Sequence, residues 1–370
     1  MMRKIDLYIL KKFLATFFYS LILLTIISTV IDISEHTDDF SKSGLSSKEI
    51  FLQYYVGFIP HIVAMLFPLF VFISVIFFTS KMAGRSEFIA ILSSGVSLRR
   101  ILVPYWIGGG ILGCLLWFSN DFIIPKANGI RTAFEAKYIK LVMPQSSNSG
   151  LYMRTDSFSY AGMRYYDTTS KAGGSFFMES IRGNQVVYNL RADNMTWDTA
   201  KKSWKLNGVV ERKLNGMKED VSFHYELFRK LPFDPSDLKR DEYMQARMIS
   251  PELRRRIQKE KLRGSETVKE LQMESAHRGA TPFAVVLLTI IGAIIACRKI
   301  RGGSGAHLAV GIIVCAVFIL ADRFSTIFST KGDLDPYLAA WIPNIIFGVL
   351  HGICIKKPPN RGFFLKNLCS

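Results

Sequence analysis

The sequence has little of what enzymes use to do chemistry. It contains no GxxxxGKS/T phosphate loop: Gly302-Gly303-Ser304-Gly305 supplies glycines but no lysine, and follows no strand-like run. It has no HExxH, no Cys/His pairs at zinc spacing and no GxSxG elbow, so no metal or catalytic residue is assigned. The six histidines are scattered, which leaves a histidine-based catalytic cluster to tertiary accident. Five cysteines (Cys114, Cys297, Cys315, Cys354 and Cys369) lie in apolar blocks or the tail, and none falls between residues 125 and 279. A disulfide framework is not expected there. Ionisable side chains deep inside the apolar blocks are almost absent, which argues against a proton relay or an ion-coupled carrier. His61 and His351 are the nearest, and each reads more readily as an interfacial residue than as a functional one.

What the sequence has in abundance is long apolar runs. Six occur, at about residues 13–32, 50–79, 101–124, 280–297, 306–321 and 337–355, three on each side of a large polar middle. A helix crossing a bilayer needs roughly 20 mostly apolar residues, because about 30 Å of hydrocarbon is covered at 1.5 Å per residue. Four blocks meet that length comfortably; those at 280–297 and 306–321 are shorter but free of charge. The first is preceded by Arg3, Lys4, Lys11 and Lys12, yet runs to Ile31 with no small-residue cleavage site, so it reads as a retained helix and not a signal peptide. Over 370 residues the formal charge is +17 and the mean hydropathy +0.21. A soluble enzyme would be less apolar, and a nucleic-acid binder would gather its basic residues on a soluble surface; no nucleic acid is implied.

The basic residues orient the frame, because short loops rich in Lys and Arg stay cytoplasmic. Arg3, Lys4, Lys11 and Lys12 precede block one; Lys81, Arg85, Arg99 and Arg100 follow block two; Arg298, Lys299 and Arg301 follow block four; Lys356, Lys357, Arg361 and Lys366 follow block six. The alternate loops carry Asp32, Glu35, Asp38 and Asp39, then Asp333 and Asp335. The expectation is a multi-pass protein with both termini cytoplasmic and residues 125–279 on the outer side.

That outer segment begins with a helix-like stretch and then reads as sheet. Leu151-Tyr152-Met153, Phe176-Phe177-Met178 and Val186-Val187-Tyr188 are strand-like, and Gly173-Gly174, Gly183-Asn184, Asn207-Gly208 and Asn215-Gly216 supply turn signals between them. Val221, Phe223, Tyr225 and Leu227 alternate as a half-buried strand requires. An antiparallel β domain of roughly 90 residues is expected, a sandwich, jelly roll or open roll. From Pro235 to Arg278 the pattern turns charged and helical, with Pro251 at a helix start: an amphipathic connector back to the membrane. The fold class is thus membrane α-helical plus β, six transmembrane helices (3 + 3) with an inserted, jelly-roll-like periplasmic domain. The domain limits are 1–124 for the first three spans, 125–279 for the β domain and connector, and 280–370 for the last three spans and tail.

The most loaded loop is Gly84–Arg100. Ser86 can cap a short helix, Phe88, Ile91 and Leu92 would form its apolar face, and Gly95 suits its C-terminal stop. A short helix along the membrane with an acid at its start is a docking element; the plainer reading is an interfacial turn, and periodicity alone does not separate them. In the third span Gly108, Gly109, Gly110 and Gly113 permit close helix approach. Pro60 and Pro68 interrupt the second, where a bend is tolerable if neighbours satisfy the freed carbonyls. At about 30 residues that span is long enough to tilt or to extend beyond the bilayer.

The run Arg85-Ser86-Glu87…Ser94-Gly95-Val96-Ser97 resembles the coupling helix of the lipopolysaccharide-export permeases, the LptF/LptG (YjgP/YjgQ) family. Asp6-Leu7-Tyr8-Ile9, Pro125 and Asn128, Trp204-Lys205-Leu206, Glu274, His277, Arg278 and Pro282, and Pro336…Trp341-Ile342-Pro343-Asn344 agree with it in order and spacing. The resemblance covers essentially the whole chain, and the start Ile5-Asp6-Leu7-Tyr8-Ile9 is closer to the LptG-like member. It implies an inner-membrane ABC-exporter permease that binds no nucleotide and no cofactor itself, ATP being bound by a separate cytoplasmic ATPase dimer. A paralogous permease subunit would pair with it, and a periplasmic bridge of similar β folds would receive lipopolysaccharide from its β domain. Carried over by position, the coupling helix spans 84–97; Glu87 is its charged contact with the ATPase, with Arg85, Ser86, Ser94 and Gly95 shaping it.

The substrate site is less defined. Lipid A phosphates call for basic residues at the outer membrane surface, yet the first span ends in Asp32 and Glu35. His61, Arg278 and Arg323 remain as candidates, against a reading as interface anchors. Leu66, Phe67 and Pro68 are candidates to line an acyl-chain cavity, or equally to face lipid or pack. Two other classes compete: a periplasmic tether or chain-length regulator of surface polysaccharide assembly, which needs two spans and no coupling helix, and a membrane-embedded lipid-modifying enzyme, which needs clustered acids or histidines.

Overall fold

The helices are longer than the apolar blocks that announce them. The structure, a computed structural model, describes residues 4–139, 150–183, 185–216, 218–238, 244–265, 267–297 and 304–356. Arg3, Asn184, Arg298, Lys299, Arg301–Gly303, Lys357, Arg361, Lys366 and Cys369 lie outside them. Two compact units result. One comprises Met1–Ile139, Ala246–Ser250 and Lys269–Ser370, the other Lys140–Gln245 and Pro251–Val268.

The first unit is helical. Helix α1 (Lys4–Glu35) is followed by the short α2 (Thr37–Ser43) and α3 (Ser47–Ile50), a π-helical turn at Phe51–Tyr55, and α4 (Val56–Gly84). After α5 (Glu87–Ser93) and α6 (Leu98–Ile101) come α7 (Val103–Phe118), a π turn at Ser119–Ile123, α8 (Ile124–Phe134) and another π turn at Glu135–Ile139. Five helical stretches are long and apolar enough to cross a bilayer: Lys4–Glu35, Ser47–Gly84, Leu98–Ile139, Val268–Ala296 and Gly305–Thr330. The sixth apolar block forms a 21-residue helix at Pro336–Lys356.

Burial is unequal among the spans. Asp6, Ile9, Phe13 and Phe17 form the buried stripe of α1, while Ile22, Ile26 and Val30 are exposed. In a bilayer such exposure is tolerated, because lipid tails are as apolar as the side chains and association rests on packing and hydrogen bonds. Phe67, Phe70 and Val75 of α4 pack with Phe13 and Phe17 of α1 and Tyr105 and Leu112 of α7. Thr79 Oγ1 and Tyr105 OH share a hydrogen bond of 2.9 Å between α4 and α7.

The glycines of α7 act as expected at three positions of four. A Cβ on Gly108 would meet the Phe13 ring at 2.7 Å, on Gly109 Thr289 at 3.1 Å and on Gly113 the Pro282 carbonyl at 3.0 Å; Gly110 has nothing within 4 Å. Pro60 and Pro68 do not interrupt α4, which runs through both.

The second unit holds a seven-stranded antiparallel sheet: β1 (Leu151–Arg154), β2 (Ser159–Met163), β3 (Tyr165–Asp167), β4 (Ala172–Arg182), β5 (Gln185–Asp198), β6 (Ser203–Asn215) and β7 (Lys218–Arg229). The order is β1-β2-β4-β5-β6-β7, with β3 also on β4, so β2 and β3 share one edge of the longer strand. Apart from β2 and β3, strands that follow in chain order lie side by side, as in an open roll. Gly183 and Gly216 adopt left-handed φ at the β4–β5 and β6–β7 turns.

The other two turn signals are overturned. Gly173-Gly174 lies inside β4, paired with Tyr166 and Tyr165, and a Cβ on Gly174 would strike the Tyr165 ring. Asn207-Gly208 lies in mid-β6, where Gly208 has φ 62° and a Cβ would strike the Asp193 carboxylate. The inward phase of β6 shifts there, from Trp204 and Leu206 to Val209. A left-handed residue re-aims a strand as a turn residue reverses one, and sequence alone does not separate the two uses.

The core of this unit gathers Tyr166, Phe176, Leu190, Met195, Trp204 and Leu206 beneath Phe233 and Leu238. Val221, Phe223 and Tyr225 depart from the expected half-burial: they are exposed on β7, the last strand of the sheet. The connector forms α9 (Pro235–Leu238), α10 (Met244–Arg247) and α11 (Ser250–Arg263), with Pro251 in the first turn of α11 where its missing N–H costs nothing. Asp237 of α9 pairs with Arg256 (2.7 Å), Lys259 (2.9 Å) and Arg263 (2.8 Å) of α11. The chain then enters α12 (Val268–Ala296), α13 (Ser304–Thr330) and α14 (Pro336–Lys356).

Candidate functional site

The charges missing from the apolar blocks sit just beyond their ends, and the helices carry them to one place. Helix α12 starts at Val268 and so includes Glu274, His277 and Arg278; α13 continues to Thr330 and so includes Asp322 and Arg323. With His61, Leu66 and Pro68 of α4 they line a cavity of about 400 Å³ in the helical unit. Along α4 the positions 61, 64/65 and 68/69 form the cavity stripe at helical spacing. Phe67 points elsewhere: it is 2% exposed and packs against Phe17 with ring centroids 5.2 Å apart.

Arg278 organises the polar wall. Its Nε donates to Glu274 Oε1 at 3.0 Å and its Nη1 to Ser250 Oγ at 3.1 Å. Ser250 in turn donates to Asp121 Oδ1 at 2.5 Å. His277 places Nε2 3.1 Å from Thr326 Oγ1 and Nδ1 3.6 Å from Asp322 Oδ1. Arg323 is exposed and has no ion-pair partner among the described residues. A ligand in this cavity therefore meets a braced guanidinium, an exposed one, two imidazoles and an apolar floor.

Two asparagines frame the same space. Asn128 Nδ2 donates to the Ala246 carbonyl at 3.0 Å and Asn344 Nδ2 to the Ala280 carbonyl at 2.9 Å. Pro343 leaves the Ala339 carbonyl without its helical donor, and Ser325 Oγ supplies one at 2.5 Å. This is how α14 carries a proline at the cavity wall without a break.

The second candidate surface is the 84–100 segment. Glu87 opens α5 and is half-buried, while Arg85, Ser94 and Gly95 are exposed. Ser86 stands at the N-cap but with φ 63°, and its side chain makes no capping hydrogen bond, so the expected cap is not formed. Gly95 has φ 85° just past the helix end, where a left-handed residue closes the last turn. Phe88 is fully buried and Ile91 packs beside it, but Leu92 is 40% exposed. With Ile89 (48% exposed) it gives the outer face of α5 an apolar pair. Over seven residues, a helix docks inward through one or two side chains only, which leaves the others for the surface.

The residues missed by motif reading were Asp121, Ser250 and Asp322. Each is unremarkable in its local sequence and acquires a partner only through tertiary contact. Asp32 was misplaced as a rim residue. It is buried, accepting from Tyr54 OH at 3.2 Å and Tyr55 OH at 3.0 Å.

No curated protein sequence matches the chain significantly. One family model does, over a range that includes the cavity-lining residues and the 84–100 segment. It covers residues 7–357 and describes the lipopolysaccharide export system permease LptF/LptG. A multi-pass helical frame with an inserted antiparallel sheet, matched over nearly its whole length, places this chain in the LptF/LptG lipopolysaccharide export permease family.

Proposed function

We propose that the chain is one of two permease subunits of an ABC exporter that lifts lipopolysaccharide out of the bacterial inner membrane. Both termini and the 84–97 coupling helix face the cytoplasm, and residues 125–279 face the periplasm. The chain hydrolyses nothing; a separate ATPase dimer docks on the segment around Glu87. The observation that carries this reading is the convergence of Glu274, His277, Arg278 and Asn344 with Asn128 on one cavity. Arg278, Arg323 and His61 are the groups that meet lipid A phosphates, and Leu66 and Pro68 meet acyl chains. A family model common to both members supports either subunit; residues 5–9 favour the LptG-like one.

The periplasmic step is supported by the form of β7. Its outer edge has no partner strand among the described residues, and Phe223 and Tyr225 are 76% and 89% exposed. An unpaired edge with aromatic side chains is a template for strand addition. A bridge protein of like β fold is the partner that fits.

Substitution Glu87→Arg tests the reading. A carboxylate in the first turn of a helix is favoured by roughly 0.3–1 kcal/mol, so reversal leaves folding nearly intact, while a basic contact on the ATPase is repelled. Delivery of lipopolysaccharide to the cell surface is expected to stop, with normal amounts of the protein in the membrane. Normal delivery by this variant would remove the coupling role.

A further inference from the structure

Charges of both signs line the cavity. Glu274 and Arg278 of α12 and Asp322 and Arg323 of α13 all face it, so two guanidiniums are matched by two carboxylates. A wall built for phosphate alone would not carry both acids, since each repels the anion that its neighbouring arginine attracts. Glu274 is engaged through Oε1 by Arg278. Asp322 is placed differently. Its side chain is 29% exposed, and His277 Nδ1, at 3.6 Å, is its nearest cationic partner among the described residues.

The hydrogens around His277 can be counted. Thr326 Oγ1 donates its one hydrogen to the Asp322 carbonyl at 2.8 Å. It is therefore the acceptor in its 3.1 Å contact with His277 Nε2, and Nε2 carries the ring proton. A neutral ring then turns a bare Nδ1 toward the Asp322 carboxylate, two acceptors face to face with no hydrogen between them. What fits there is a donor with positive charge. Among the described residues no three His, Cys, Asp or Glu side chains are placed to hold a metal ion. An ammonium group, with three N–H donors on a flexible stem, serves both acceptors without needing a third ligand.

Arg323 follows Asp322 on the same helix and lines the same cavity, exposed and without an ion-pair partner among the described residues. We propose that the cavity reads a zwitterion: Asp322 and His277 Nδ1 accept from an ammonium group, while Arg323 holds the phosphate that carries it. The ligand class is a lipid with an amine-bearing phosphate, either a phosphatidylethanolamine of the bilayer or a lipopolysaccharide whose phosphate carries ethanolamine. This assignment rests on the cavity being the lipid-phosphate site, and makes Asp322 the residue that discriminates against a plain phosphate.

The full chain, purified in detergent, is titrated with three short-chain lipids, and bound lipid is counted by native mass spectrometry. They are phosphatidylethanolamine, its N-acetyl derivative, which keeps the phosphate and loses the ammonium, and phosphatidylglycerol. The parent is expected to bind phosphatidylethanolamine on the order of tenfold more tightly than the other two, the worth of one charge-assisted hydrogen bond. Asp322→Asn should abolish that preference, and Arg323→Gln should weaken all three. Lipopolysaccharides with and without phosphoethanolamine separate the sources. A preference between them assigns the ammonium to the cargo, and a preference confined to phosphatidylethanolamine assigns it to the bilayer lipid. Equal binding of phosphatidylethanolamine and its N-acetyl derivative by the parent would overturn the zwitterion site. So would a preference that survives Asp322→Asn, or an Arg323→Gln that binds all three as the parent does. If Arg278→Gln is also without effect, the lipid-phosphate reading of the cavity fails with it; if Asp322→Asn alone is without effect, that reading stands.

Discussion

Asn344 of α14 donates from its side-chain amide to the Ala280 carbonyl of α12 at 2.9 Å, and its own Oδ1 is buried without a partner among the described residues. The residue thus contributes one hydrogen bond and carries the cost of one unmet acceptor. A buried unsatisfied group costs about 1–3 kcal/mol, comparable to or above the net gain from a bond.

Replacement of Asn344 by Leu is therefore expected to change thermal stability by no more than about 1 kcal/mol, since it removes the bond and the orphan together. Asn344→Asp keeps the shape but buries a carboxyl facing a carbonyl, and should be markedly less stable. Unfolding of the purified protein in detergent, followed by tryptophan fluorescence, ranks the three. Leu falling below Asp would contradict this account.

Gly57 and Gly110 give a matched pair. A Cβ on Gly57 would come 2.5 Å from the Ala127 carbonyl oxygen and 2.6 Å from the Arg131 backbone nitrogen, so α4 and α8 must separate to admit it. Overpacking of this kind typically costs about 1–3 kcal/mol. Gly110 has open space, and Ala there should be neutral or slightly stabilising through its helix propensity, by up to about 1 kcal/mol. Melting temperatures of Gly57→Ala and Gly110→Ala should move in opposite directions or, at the least, only the first should fall.

Asp237 links stability of the sheet-bearing unit to pH. Burial opposes its ionisation, but the hydrogen bonds from Arg263 and Lys259 and the Arg263 charge outweigh it and hold the carboxyl well below the usual carboxylate range. A depressed folded-state value means stability that is fully present above the unfolded value, about 3.9, and is lost as pH falls below it. Asp237→Asn should cost on the order of 3 kcal/mol at neutral pH, because it leaves three cations around a neutral group. The gap between parent and variant should narrow below about pH 4. Proteolysis of the unit across pH reads it out, and a gap that widens in acid would be the wrong sign.

Arg278 and Arg323 line one cavity in different ways. Arg278 is held by Glu274 and Ser250, while Arg323 is exposed. Arg278→Gln is expected to lower stability by about 2 kcal/mol or more, because it strips the partner from half-buried Glu274. Arg323→Gln should stay within about 0.5 kcal/mol of the parent, as surface changes do. Both should reduce lipopolysaccharide recovered with the purified protein. Retention of full binding by Arg323→Gln would confine phosphate recognition to Arg278 and His61.

The architecture was legible where physics acts locally. A run of apolar residues must be helical in a bilayer, and strand-like runs bounded by Gly183 and Gly216 had to pair. Legibility failed where one residue type serves two purposes. Gly174 and Gly208 looked like turns because their need is for absent side chains or left-handed φ, and both needs also arise within strands. Phe67 looked like a cavity residue beside Leu66 and Pro68, yet a helix turns about 100° per residue and put it in the core. The cavity itself was half visible. Its positive charges could be named from their place near span ends, but Asp121 and Ser250 join Arg278 only through contacts 129 and 28 residues apart. No window of sequence contains that.

The side-by-side order of the strands has a consequence for how the protein is made. Every strand pairs with one close to it along the chain, and Asp237 finds its cations within 26 residues. Contacts of short span close quickly, because little chain entropy is lost in forming them. The inserted unit can therefore complete itself while the last three spans are still being synthesised. The helical unit cannot: α4 must wait for α12 and α13. An early-folding insert can divide one membrane frame into a half already anchored and a half still to arrive, and the cavity closes only once α12, α13 and α14 are in place.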